Sequence, residues 1–149
     1  MLALTLLKIL LAGVVGAIIG VISNRNTARV FVMVCMGTAL LTIVSTEFFM
    51  MVSYPWYGDP SRLSAQAISA IGFVGTGMIW ISEKNEVEGL NAAASLWLTA
   101  ILGTIIGVGL QTKSIMALLV VLVFYWLFDV VMKCYRKKQE LKGDGINHS

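Results

Sequence analysis

Five apolar stretches, at about 4–22, 30–52, 63–81, 92–110 and 114–132, dominate this 149-residue chain. Four are roughly 19 residues long and one roughly 23, so at about 1.5 Å rise per residue each reaches about 28 Å or more, the thickness of a bilayer's hydrocarbon core. The apolar residues follow one another consecutively. A transmembrane β-barrel would need strands of about ten residues that alternate apolar and polar. Helices are then the solution that lets every backbone N–H and C=O find a partner within its own segment. A composition of 58% hydrophobic and 13% charged residues lies outside the range of soluble globular domains.

The first stretch is read as a retained helix rather than a secretory leader. Lys8 interrupts its apolar run, and Val21-Ile22-Ser23-Asn24 offers no small-x-small cleavage site. The expected fold is an all-α membrane protein, about five transmembrane helices in one compact bundle over residues 1–132, with a basic cytoplasmic tail over 133–149. No linker or low-complexity tract divides the chain.

Lys and Arg set the expected orientation. One side collects Arg25, Arg29, Lys84, Lys133, Arg136, Lys137, Lys138 and Lys142, and the other Arg62 and Lys113, with Lys8 if it snorkels outward. The N-terminus is therefore expected outside and the C-terminus in the cytoplasm. The net charge of +3 reflects this bias and an attraction to anionic lipid, so a nucleic-acid partner is not expected. Cys35 and Cys134 fall on the cytoplasmic side, where a disulfide is disfavoured.

Glycines recur at helical spacing: Gly16 and Gly20 in the first stretch, Gly72, Gly75 and Gly77 in the third, Gly103 and Gly107 in the fourth. GxxxG spacing lets two backbones approach closely, which serves packing within the chain or, as the second reading, a homodimer. Asp59-Pro60 suits a helix start, with the aspartate capping and the proline at the first helical position. Beyond it Arg62, Gln66, Ser69 and Phe73 fall at steps of three and four, so one helical face runs polar toward the bilayer midplane. In lipid such a stripe faces protein or a watery cavity. Asn91 and Ser95 lie one turn apart on the fourth helix. Together with Glu47 and Arg29 these residues make a candidate functional polar cleft, with helix-to-helix packing as the competing account. Asp129 and Lys133 stand at i,i+4 and are expected to pair.

Catalytic residues are not assembled by any pattern in the chain: His148 lies in the tail, the cysteines do not cluster, and no phosphate-binding glycine loop appears. The expectation is a protein that is not an enzyme and has no cofactor. A hard cation such as Mg²⁺ needs only one or two carboxylates, so Asp59 or Glu47 could hold one.

Asp59-Pro60-Ser61-Arg62, then Gln66, then Ile71-Gly72-Phe73-Val74-Gly75-Thr76-Gly77, then Gly89-Leu90 through Ala93-Ala94-Ser95-Leu96-Trp97 and Thr99-Ala100 resemble, in order and spacing, the MgtC/SapB family of bacterial inner-membrane proteins. The resemblance covers about 11–110. The chain departs from the family pattern at Val21-Ile22-Ser23-Asn24, where an acidic and basic cluster is usual, and at Arg29-Val30-Phe31, where only the arginine is kept. Ala70 and Asn91-Ala92 also differ, and the chain reads as a short form lacking the soluble C-terminal domain of longer members. The resemblance implies a non-enzymatic membrane protein linked to low-magnesium adaptation or virulence. It would act as a regulator or adaptor of other membrane machinery, such as the F-type ATP synthase. The alternative it implies is a transporter of magnesium or another cation. The regulator is preferred because the sequence shows no acidic pore ring or paired intramembrane carboxylates.

Overall fold

A computed structural model describes residues 2–23, 27–51, 59, 61–109 and 111–144. Among the described residues are five helices: α1 (Leu2–Ser23), α2 (Ala28–Met51), α3 (Ser61–Thr76), α4 (Leu90–Val108) and α5 (Thr112–Asp144). Four of them, α1, α2, α4 and α5, are long and apolar enough to cross a membrane. The protein is an all-α, multi-pass membrane protein.

The third element differs from its expected extent. Helix α3 has 16 residues and ends at Thr76 rather than continuing to about 81. The apolar residues that follow it, Trp80 and Ile81, instead form a short strand, β1, antiparallel to β2 (Val87–Glu88), with Trp80 opposite Glu88 and Ile81 opposite Val87. Asn85 turns the hairpin at a φ of 57°, and its N–H donates to the Ser82 carbonyl at 2.9 Å. At the exit of β2, Gly89 takes φ +84°, and a side chain there would run into the Met78 carbonyl. Only glycine meets both demands.

The chain divides into Met1–Ser114 and Ile115–Ser149. In the first unit α2 packs on α1 and on α4, and α3 lies along α4 and α2. Gly13 stands opposite Met36, Gly16 opposite Val32 and Cys35, and Gly20 opposite Ala28, so α1 runs antiparallel to α2. Gly103 meets Cys35 and Thr38, and Gly107 meets Ala39 and Thr42, so α4 runs parallel to α2. Ile19, Phe31, Cys35, Leu96, Leu102 and Ile106 are fully buried or nearly so in this packing.

In lipid, apolar surface gains nothing by leaving one hydrocarbon for another, so close backbone contact has to supply the association. A Cβ built on Gly16 would lie 2.7 Å from the Phe31 carbonyl oxygen, and one on Gly107 would lie 2.6 Å from that of Ala39. Helix α5 forms most of the second unit. It is continuous through Asp144, past the expected 132/133 boundary, and carries the Lys133 Nζ to Asp129 Oδ2 ion pair at 2.7 Å.

Candidate functional site

Asp59 caps α3. Its Oδ1 accepts the Ser61 backbone N–H at 2.8 Å and the Ser61 hydroxyl at 2.6 Å, while its own carbonyl accepts the Arg62 N–H at 3.2 Å. The Ser61 hydroxyl and N–H, and then the Arg62 charge, hold the Asp59 carboxyl below its ordinary range. Pro60 lies outside the described residues. Arg62, Gln66 and Ser69 are all exposed, and the only buried residue of α3 is Gly75. The polar stripe therefore looks away from the bundle rather than into it.

The residues expected in one cleft are spread along the bundle. A Cβ built on Gly75 would lie 3.7 Å from Ala93, which sets the C-terminal end of α3 beside the first turn of α4. Asn91 and Ser95 belong to that end, about 20 Å along α3 from Asp59 and Arg62. Arg29, exposed at the start of α2, and Glu47, exposed near its finish, stand at opposite ends of that helix. Ser95 is buried, and its hydroxyl donates to the Asn91 carbonyl at 2.7 Å.

Two polar contacts that the sequence did not single out join different helices. The Thr42 and Ser64 hydroxyls meet at 3.1 Å between α2 and α3. Lys8 Nζ donates to the Gly107 carbonyl at 3.1 Å, so a cation occupies the electronegative C-terminal turn of α4. The signal for the second was present in Lys8 itself, an ionisable residue inside an apolar run, for which a partner has to be sought. The buried hydroxyls of three threonines turn to their own helices: Thr38 to Val34, Thr99 to Ser95 and Thr104 to Ile101.

The glycines separate by role. Gly16, Gly20, Gly103 and Gly107 stand against neighbouring backbone, whereas a Cβ on Gly72 would meet nothing within 4 Å and one on Gly77 only the Val74 carbonyl of its own turn. Among the described residues no three His, Cys, Asp or Glu side chains group as a metal site. Cys35 is a buried free thiol and Cys134 an exposed one.

The sequence profile of the MgtC family matches residues 9–134. A Haemophilus influenzae protein is 34% identical over 147 residues, 94% of this chain and 62% of that protein. The Escherichia coli K12 protein named "Putative magnesium transporter YhiD" is 41% identical over 114 residues, 72% of this chain and 53% of its own length. Protein SapB of Bacillus subtilis is 32% identical over 124 residues, 79% of this chain and 53% of SapB. This chain spans about half to three-fifths of the length of these curated relatives. No solved structure matches. The profile match over residues 9–134, most of the chain, places it in the MgtC family.

Proposed function

We propose that this protein is a non-enzymatic regulator or adaptor that acts on other membrane machinery in low-magnesium adaptation. The observation that carries the reading is the outward polar face of α3. Arg62, Gln66 and Ser69 are exposed on a helix that packs beside spanning helices, a placement that calls for a protein or water neighbour. A partner complex such as the F-type ATP synthase, or a second copy of the chain, would supply it. On this reading the Lys and Arg asymmetry puts the N-terminus outside and the C-terminus in the cytoplasm.

Magnesium transport is the second reading, favoured by the name of the Escherichia coli relative. Against it, the buried hydroxyls of Thr38, Thr99 and Thr104 spend their hydrogen bonds on their own helices rather than on a lined path. The test is a pair of assays on one preparation: Mg²⁺ flux into liposomes containing the purified chain, and growth of a deletion strain in low magnesium. Growth restored with flux no greater than in empty liposomes supports the regulator. Flux abolished by Asp59→Asn at unchanged protein levels would instead establish transport.

A further inference from the structure

Helix α2 can serve as a ruler for the bilayer. Between Arg29 and Glu47 it carries no charge, and these 17 residues span about 26 Å, close to a hydrocarbon core. Glu47 then marks the boundary at the Met51 end. Two neighbouring helices stop well below it. Gly107 is level with Ala39 and Thr42, and α4 ends one residue later at Val108. Ser64 is level with Thr42 through their shared hydrogen bond, and α3 begins only three residues earlier at Ser61. Helix α2 continues nine residues past Thr42, about 13 Å.

Lys8 comes to this same level. It lies five residues before Gly13, which faces Met36, and its Nζ reaches the Gly107 carbonyl. Among the described residues that oxygen satisfies one of the three donors of an ammonium group, and a charged group left in hydrocarbon with donors unmet is costly. Arg62 and Gln66 are exposed on α3 within one turn of the level of Ser64.

We propose that α3 and α4 end beneath an aqueous vestibule opening on the Met51 side, through which water and small hydrophilic solutes reach Lys8 and the Thr42–Ser64 pair inside the bilayer. The vestibule does not depend on whether the protein regulates or transports. It follows from the register of four helices and from the need to hydrate Lys8.

Thiol accessibility tests it. In a Cys134→Ser chain, which retains the buried Cys35, cysteine replaces Ser64 or, on α1 at the same depth, the exposed Leu7. A second pair, Arg62→Cys and Leu4→Cys, samples a level about 3 to 4.5 Å nearer the boundary and leaves the Thr42–Ser64 bond intact. Each chain is reconstituted in liposomes and treated with a membrane-impermeant sulfonated maleimide. Ser64→Cys and Arg62→Cys are expected to label at least about ten times faster than their α1 counterparts, because only a hydrated thiol ionises readily. Slow labelling at both members of each pair removes the water. Fast labelling at both puts the layer at the membrane surface. Either result overturns the proposal, and the Arg62/Leu4 pair decides it if Ser64→Cys fails to fold.

Discussion

Replacing Gly107 by alanine puts a methyl group 2.6 Å from the Ala39 carbonyl oxygen and 2.7 Å from Thr42 Cβ. Ordinary contact begins near 3.4 Å, so α2 and α4 must part by about 0.8 Å at that point. A gap of this size forfeits a quarter to a half of the dispersion energy across the seam, and overpacking of a tight interior costs about 1 to 3 kcal/mol. No flexible side-chain tip is available to yield, because the obstructing atoms are backbone and Cβ. Gly72→Ala is the matched control, with nothing within 4 Å of the added methyl. The assay is unfolding of the purified protein by sodium dodecyl sulfate in mixed micelles, followed by circular dichroism. Gly107→Ala should shift the midpoint to a lower dodecyl sulfate fraction by an amount equivalent to about 2 kcal/mol, and Gly72→Ala should leave it unchanged. Equal midpoints for the two variants would refute the assignment of the α2–α4 seam.

Three further outcomes are expected. Asp59 has a depressed folded-state pKa, so its cap contributes stability that is present above the ordinary carboxylate pKa of about 3.9 and is lost only as pH falls through the lower folded value. A carboxyl ¹³C titration should place the Asp59 midpoint below about 3.9, and Ser61→Ala should raise it; a midpoint at or above that value in the unmodified protein contradicts the capping geometry. Gly89→Ala, at φ +84° and against the Met78 carbonyl, should cost about 1 to 2 kcal/mol or more in the same dodecyl sulfate titration, and unchanged stability would mean that the hairpin exit is built differently. For Thr42→Val and Ser64→Ala, a double-mutant cycle should give a coupling of about 0.6 kcal/mol, typical of hydroxyl pairs between membrane helices, whereas additive effects would deny the contact.

The spanning helices were legible because about 19 consecutive apolar residues have few other destinations, and α1, α2 and α4 lie close to where hydropathy puts them. The third segment was overextended for a physical reason. Met78, Ile79, Trp80 and Ile81 are as apolar as a helix interior, and a short apolar run does not distinguish helix from strand. Only Asn85 and Gly89 hint at the turn, and two-residue strands carry no periodicity to read. Glycine spacing marked Gly16, Gly20, Gly103 and Gly107, but spacing does not say which face meets a neighbour. Gly72 sits three residues from Gly75 and looks into open space, while Gly77 lies past the helix end. The polar residues of the candidate cleft were recognised by type. Their distribution over two ends of the bundle depends on helix direction and register, which a single sequence does not encode locally.

The two kinds of polar satisfaction in the bundle have consequences for biogenesis. Thr38, Thr99 and Thr104 each close their hydrogen bond within three or four residues of their own helix, so those segments leave the translocon needing nothing from one another. The Thr42–Ser64 pair and Lys8 cross between helices instead, and Lys8 has the longer wait, since its acceptor lies 99 residues downstream. At bacterial elongation rates of about 5 to 20 residues per second, α1 waits about 5 to 20 s before α4 is synthesised. During that interval its ammonium must stay in water or at the headgroups, held near the surface. Helix α1, made before α4, is therefore among the last to settle at its final depth, and α4 is the segment whose arrival draws it in.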